Sequence, residues 1–209
     1  QRYRDEGAFV ARLEQIEPAT LGHDARINRN MLMRQLRESR RRFEDGLHLI
    51  ALDMRSGPQH WHSMIDYLPM ETEQDYLDWL SRLRALPDQL ANYQGLLQKG
   101  ITSNRTQAQI VMARVPAQIQ SLLEGTATDS PFYKAFAALP PDFEPDQRGQ
   151  LQAEATRIIE TELNPAFHEL LSFLVGTYLP AARAPGIGSL PDGKQIYSHL
   201  VQRFTTTDM

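Results

Sequence analysis

Two histidines flank a tryptophan at His60, Trp61 and His62. On extended backbone, side chains two positions apart point to the same side, so such a pair can share a metal ion. On a helix the neighbours are three and four apart, and these two imidazoles would diverge. No third ligand stands close in sequence. The stretch therefore reads as a surface loop or the start of a helix beside a packed Trp61, with His60 and His62 kept as the metal candidates. A second stretch, Phe167-His168-Glu169-Leu170-Leu171-Ser172-Phe173, opens like the helical zinc site His-Glu-x-x-His. That site needs a second histidine one turn on, and Ser172 occupies the position. His168 and Glu169 then read as a solvent-facing pair.

Other groups with chemical potential resolve in the same way. The segment Arg34 to Asp45 is rich in arginine, which suggests phosphate binding. Yet Arg34 and Glu38, Glu38 and Arg42, Arg40 and Glu44, and Arg41 and Asp45 are each four apart, the spacing of helix-stabilising pairs. A solvated, salt-bridged face is the favoured reading. Glu71, Glu73, Asp75 and Asp78 suit the positive end of a helix better than paired-carboxylate catalysis. Gly186-Ile187-Gly188-Ser189-Leu190-Pro191 is neither a dinucleotide fingerprint nor a nucleophile elbow. Asn104-Arg105-Thr106 matches a glycosylation sequon, a pattern common by chance. With no cysteine, the chain has no disulfide, thiolate nucleophile or cysteine-ligated zinc. The residues alone describe a soluble helical domain without a complete active site.

The elements that must carry these residues are helices. Apolar residues recur at three and four in Phe9, Leu13 and Ile16; in Leu32, Leu36, Phe43, Leu47 and Ile50; and in Leu80, Leu83, Leu90, Tyr93 and Leu97. A late, long helix is marked by Leu163, Phe167, Leu170, Leu174 and Tyr178. No segment alternates apolar with polar as a half-buried strand does. The fold class is all-α, a layered multi-helix bundle with kinked long helices, read as a single helical domain over residues 1–209. Thr72 with Asp75 predicts a capping box, Ser130-Pro131 and Pro145-Asp146 predict helix starts, and Gly100 predicts a stop. Pro87, Pro116 and Pro165 should each kink or restart a helix. Loops are predicted near 56–58, 125–129, 139–144 and 184–192.

Composition narrows the function classes. The 209 residues carry 22 Lys and Arg against 26 Asp and Glu, a net charge of −4, which argues against a dedicated nucleic-acid binder. Leu170 to Ala182, the most apolar stretch, is too short to span a bilayer. The chain opens on Gln1 and closes on a run of threonines, which predicts an amino-terminal portion of a longer protein.

The closing stretch places Tyr178-Leu179-Pro180, Ala182-Arg183, Gly186, Leu190-Pro191, Gly193, Tyr197 and Thr205 to Thr207 in one order. Upstream, the segment from Tyr67 to Ile101 carries a proline loop followed by a long helix, and RVPAQIQSLL and DSPFYKAF follow it. In this order and spacing the chain resembles the bacterial family catalogued as domain of unknown function 885, over roughly residues 50 to 209. Ile196 departs from the aromatic or small residue of many members. Phe204 stands where a histidine is common, which puts any histidine-dependent role there in doubt.

The resemblance implies a longer, mostly helical protein of the periplasm or cell envelope, often lipid-anchored. It implies similarity to zinc metallopeptidases of the carboxypeptidase Taq and angiotensin-converting-enzyme kind, with the zinc site on a downstream stretch absent here. This chain would then hold no cofactor and no catalytic residue, would hydrolyse nothing alone, and would wall the substrate cleft of its parent. Gly193, Tyr197, Thr205, Thr206 and Thr207 are the polar positions aimed at a peptide substrate under that reading. The ordinary alternative is helix capping by the threonines and a half-buried Tyr197. The implied partners are a peptide, through the parent, and the missing carboxy-terminal half. An apolar face that this half covers would let the piece self-associate. The reading of different class is a stand-alone helical binding or scaffold module that never held a metal.

Overall fold

The computed structural model describes residues 1–141, 143–205 and 207. They form the helices α1 (Arg2–Glu14), α2 (His23–Glu44), α3 (Glu73–Thr102), α4 (Gln109–Met112), α5 (Val115–Leu122), α6 (Lys134–Ala137), α7 (Pro145–Ile158), α8 (Asn164–Phe173) and α9 (Gly193–Thr205). Short 3-10 turns fill several of the connections, the longest being Pro58–Tyr67. The protein is all-α, and among the described residues the only β-type contact is a single bridge between Ala108 and Arg183. Two compact units emerge, one of residues 51–186 and one of residues 1–50 with 187–209. No linker signal in the sequence marks either border.

The larger unit is built on α3 and the long helical rod that starts with α7. The start of α3 is closed from both sides: the Thr72 hydroxyl accepts from the Asp75 amide at 3.3 Å, and the Asp75 carboxylate accepts the Thr72 amide at 2.8 Å. This reciprocal cap satisfies donors that the first turn leaves unpaired. The helix then buries Tyr76, Leu80, Leu83, Leu90 and Leu97 on one stripe. It passes Pro87 without interruption, because Leu83 and Leu90 anchor the turns on both sides in the core. Gly100 lies inside the last turn, not beyond it.

The rod carries two wide turns. Ile159–Leu163 and Leu174–Tyr178 are π-helical, closed by amide bonds from Asn164 to Ile159 and from Leu179 to Leu174, five residues back. Each lies just before a proline, Pro165 and Pro180. A proline cannot donate to the carbonyl four residues back and crowds it, and a wide turn relieves that conflict. Leu163, Phe167, Leu170, Leu174 and Tyr178 are all buried, as their spacing predicts. Aromatic rings fill the space between the rod and its neighbours: Phe132 lies 5.7 Å from Phe167, and Tyr76 lies 5.9 Å from Phe136 and 5.5 Å from Phe143.

A charged node joins α3 to α7 on the outside. Glu154 accepts from Arg84 at 2.6 Å and from Arg157 at 2.8 Å and 2.9 Å. The hydrogen bonds from Arg157 and then Arg84 pull the Glu154 carboxyl down to about 2. Its folded-state value lies below the unfolded one, so its contribution to stability is present above about pH 4.5 and is lost as pH falls through about 2. Glu154→Gln is therefore expected to destabilise the protein slightly at pH 6, by no more than about 1 kcal/mol given solvent screening, and by much less near pH 2. Urea unfolding at both pH values checks this; an unchanged difference between them would exclude the node.

The smaller unit is an antiparallel pair, α1 and α2, with α9. The helices predicted from Phe9, Leu13 and Ile16 and from Leu32, Leu36, Phe43, Leu47 and Ile50 are present, but they end at Glu14 and Glu44, before Ile16, Leu47 and Ile50, where Gly46 turns left-handed after α2, and their apolar stripes are not sealed. Phe9, Ile16, Leu32 and Phe43 remain 39% to 50% exposed, and α2 buries only Met33. Arginines crossing between helices hold the pair. Arg40 donates to the Tyr3 carbonyl at 2.7 Å and lies over the Tyr3 ring at 4.0 Å. Gly7 provides the room, since a Cβ there would meet the Arg40 guanidinium. Arg37 reaches Glu14 at 2.8 Å, and Ser39 donates to Glu6 at 2.8 Å.

Candidate functional site: a cationic cleft beside α9

The residues from Arg34 to Asp45 do more than decorate a solvated face. Two of the predicted pairs form, Arg34 with Glu38 at 2.8 Å and Arg40 with Glu44 at 3.8 Å. Arg37 and Arg40, however, reach across to α1, and the Arg34 guanidinium reaches the carbonyls of Gln202 and Arg203 at 3.5 Å and 3.4 Å. A cation at the closing turn of α9 suits the negative end of its dipole. Asp45, predicted to face Arg41, holds the Nδ1 edge of His199 on α9 at 3.1 Å, with both side chains largely buried. These contacts set α9 along α2 within the smaller unit.

Between them opens a cleft of about 810 Å3. Its α2 wall presents Arg34, Arg37 and Arg41, its α9 wall presents His199 and Arg203, and Met33 and Leu200 supply apolar surface. Six arginines and three glutamates line it. The size suits a segment of peptide or a ligand of similar bulk, held mainly by guanidinium donors. The sequence offered one signal for this cleft, the arginine run. It could not show α9, about 160 residues on, arriving opposite it.

The predicted substrate positions fall close by but not in the cleft. Tyr197 is 49% exposed on α9 and is not among the cleft-lining residues. The Thr205 hydroxyl donates to the Val201 carbonyl at 2.8 Å and meets the Thr207 hydroxyl at 2.6 Å, as helix-end threonines do. Thr206 lies outside the described residues. Gly193 is buried at the first position of α9 and borders a shallow depression with Lys194 and Ser198. A Cβ on Gly193 would sit 2.1 Å from the Ile187 carbonyl oxygen, so glycine is needed for close backbone approach.

The metal candidates are separately engaged. His60 and His62 both lie in the 3-10 turn Pro58–Tyr67. The His60 Nε2 sits 3.1 Å from the Met54 carbonyl, while His62 meets the Phe132 ring edge-on at 5.9 Å. Burial first, and then the neighbouring His60, hold the His62 imidazole below its usual range. Among the described residues no group of three or more His, Cys, Asp and Glu is placed to hold a metal ion. The donor set for a zinc site is therefore not met by these residues. His168 and Glu169 are exposed on α8. Thr106 of the sequon is buried, donating to the Ala181 carbonyl at 3.2 Å and accepting from the Arg183 amide at 3.1 Å.

That last contact belongs to a latch in the larger unit. The Tyr178 hydroxyl accepts the Gln107 amide at 2.8 Å, the Arg183 Nε donates to the Thr106 carbonyl at 2.9 Å, and the Gln109 amide reaches the Arg183 carbonyl at 2.9 Å. Tyr178 and Arg183 thus tie the end of the rod to the segment between α3 and α4. Burial raises the Tyr178 phenol above its usual range and lowers the Arg183 guanidinium. Tyr178 and Arg183 of the closing stretch accordingly serve the fold.

Known proteins give the following relations. A crystal structure of a candidate lipoprotein from Colwellia psychrerythraea is similar in fold, with a TM-score of 0.62 and 18% identity. The similarity covers 70% of this chain and 27% of that one, so the chain spans about a quarter of that protein's length. No curated protein matches. Among the described residues no helix is long and apolar enough to cross a membrane. The family model for bacterial proteins of unknown function, DUF885, matches residues 1–209 throughout, and the chain belongs to that family.

Proposed function

We propose that these residues form a non-catalytic helical part of a bacterial zinc-dependent peptidase and wall its substrate cleft. What carries the reading is the open cleft of about 810 Å3 between α2 and α9, lined by hydrogen-bond donors with apolar surface at Met33 and Leu200. Such a wall supplies shape and orientation to an extended peptide. Zinc and the residues that activate water would belong to other parts of the whole protein, since His60 and His62 are engaged apart from each other. The greater length of the similar lipoprotein-type structure agrees with a larger whole, and its description supports a place in the cell envelope, with a lipid anchor as the means.

The test is bound zinc per chain, by elemental analysis, together with peptide hydrolysis, on residues 1–209 and on the full gene product. Zinc and chelator-sensitive hydrolysis are expected only in the full product. Zinc at one per chain in residues 1–209 would reinstate His60 and His62 as ligands. Zinc in neither would discard the peptidase and leave a helical binding or scaffold module.

A further inference from the structure

The guanidinium groups of the cleft are unequally committed. Arg34 is taken by Glu38 and the end of α9, Arg37 by Glu14, and Arg40 by Tyr3. Arg29 donates to the Leu13 carbonyl at 3.0 Å. Among the described residues the Arg41 guanidinium has no hydrogen-bond or ion-pair partner, and that of Arg203 has only the face of Phe204, 5.4 Å away. Both line the cleft, one from each wall. Each guanidinium retains a planar fork of donors matched to a carboxylate.

Spacing decides the kind of anion. Arg34, Arg37 and Arg41 follow one another at three and four along α2, on one face. From Arg37 to Arg41 the helix rises about 6 Å. Same-side residues of an extended chain are about 6.6 Å apart. A single small oxyanion would fill only part of an 810 Å3 space. A nucleic acid would bring an unbroken row of phosphates against Glu14, Glu38 and Glu44, which share the lining. An extended peptide can place carboxylates at the arginines and uncharged residues at the glutamates.

We infer that the cleft between α2 and α9 binds an acidic peptide segment in extended conformation, with Arg41 and Arg203 as its principal carboxylate contacts. This names a ligand class for the cleft under the proposed function and rests on that reading only for the role of the bound peptide. Binding itself requires neither zinc nor hydrolysis, so its failure and that of the peptidase reading are separately visible.

The experiment is fluorescence anisotropy of a labelled hexapeptide alternating Glu with Ser, with this chain at low salt. The Glu-Ser peptide should bind, the matching Gln-Ser peptide should not, and affinity should fall as salt rises. The double variant Arg41→Gln, Arg203→Gln should weaken binding about tenfold or more while circular dichroism stays unchanged. The control Arg4→Gln, Arg55→Gln removes the same charge at two residues that do not line the cleft and should leave binding intact. Equal loss in both double variants would mean bulk electrostatics and overturn the proposal. So would equal binding of the Gln-Ser peptide, competition by inorganic phosphate at an equivalent concentration of charge, or tighter capture by anionic phosphatidylglycerol vesicles.

Discussion

Tyr178→Ala should cost the protein about 3–5 kcal/mol of stability, the range for emptying the site of a large buried aromatic. The side chain is fully buried, and its hydroxyl is the acceptor for the Gln107 amide. Two losses combine: a cavity at the end of the rod, and an amide donor left without its partner. Tyr178→Phe separates them. It keeps the ring and removes the acceptor, so it should cost about 1–3 kcal/mol. Trp61 and Trp79 both lie in the larger unit, one beside Tyr93 and the other hydrogen-bonded to the Phe132 carbonyl, so their fluorescence reports its unfolding in urea. A Tyr178→Phe variant as stable as the parent would mean that water or another group satisfies Gln107 and that the latch is unimportant.

The second large effect is at the start of α9. Gly193→Ala forces a methyl group to 2.1 Å from the Ile187 carbonyl oxygen and 2.9 Å from the Gly188 Cα, both backbone atoms with no side-chain freedom to yield. Overpacking of this kind costs about 1–3 kcal/mol, and a rigid obstacle puts it at the upper end. The loss should concentrate in the smaller unit, visible as faster hydrogen exchange in α9 with little change in α3. Gly95→Ala is the control. Nothing lies within 4 Å of its Cβ, it sits inside α3, and alanine there should stabilise by about 0.5–1 kcal/mol. Equal exchange in α9 before and after Gly193→Ala would show that residues 187–188 move aside freely.

Much of the helical frame was legible because its causes are local. The Thr72–Asp75 cap, the starts at Pro131 and Pro145, and the stripe from Leu163 to Tyr178 follow from neighbours within a turn or two. Proline consequences were legible in part: Pro116 opens α5 and Pro165 stands in the first turn of α8 after a wide turn, as restarts, whereas Pro87 is absorbed within α3. The arginine run was legible as charge. Its actual partners, Glu14, Tyr3 and the end of α9, lie far along the chain, so i,i+4 pairing described only part of it. For Gly193 the sequence offered a loop glycine near a cleft, and the structure adds a steric reason that no spacing rule carries.

The two wide turns of the rod have a consequence for how its length can change. A π turn holds one residue more than the α turn it replaces. One residue inserted into a straight helix swings everything beyond it by about 100° and would carry Phe167, Leu170 and Tyr178 away from the core. Here Ile158 and Ile159 are both buried where the first wide turn begins, and the stripe resumes at Leu163. The extra residue is swallowed locally, and the phase of the downstream face is kept. The rod is thus a ruler with two expansion joints, and deleting the one extra residue at either should leave the latch at its far end in place.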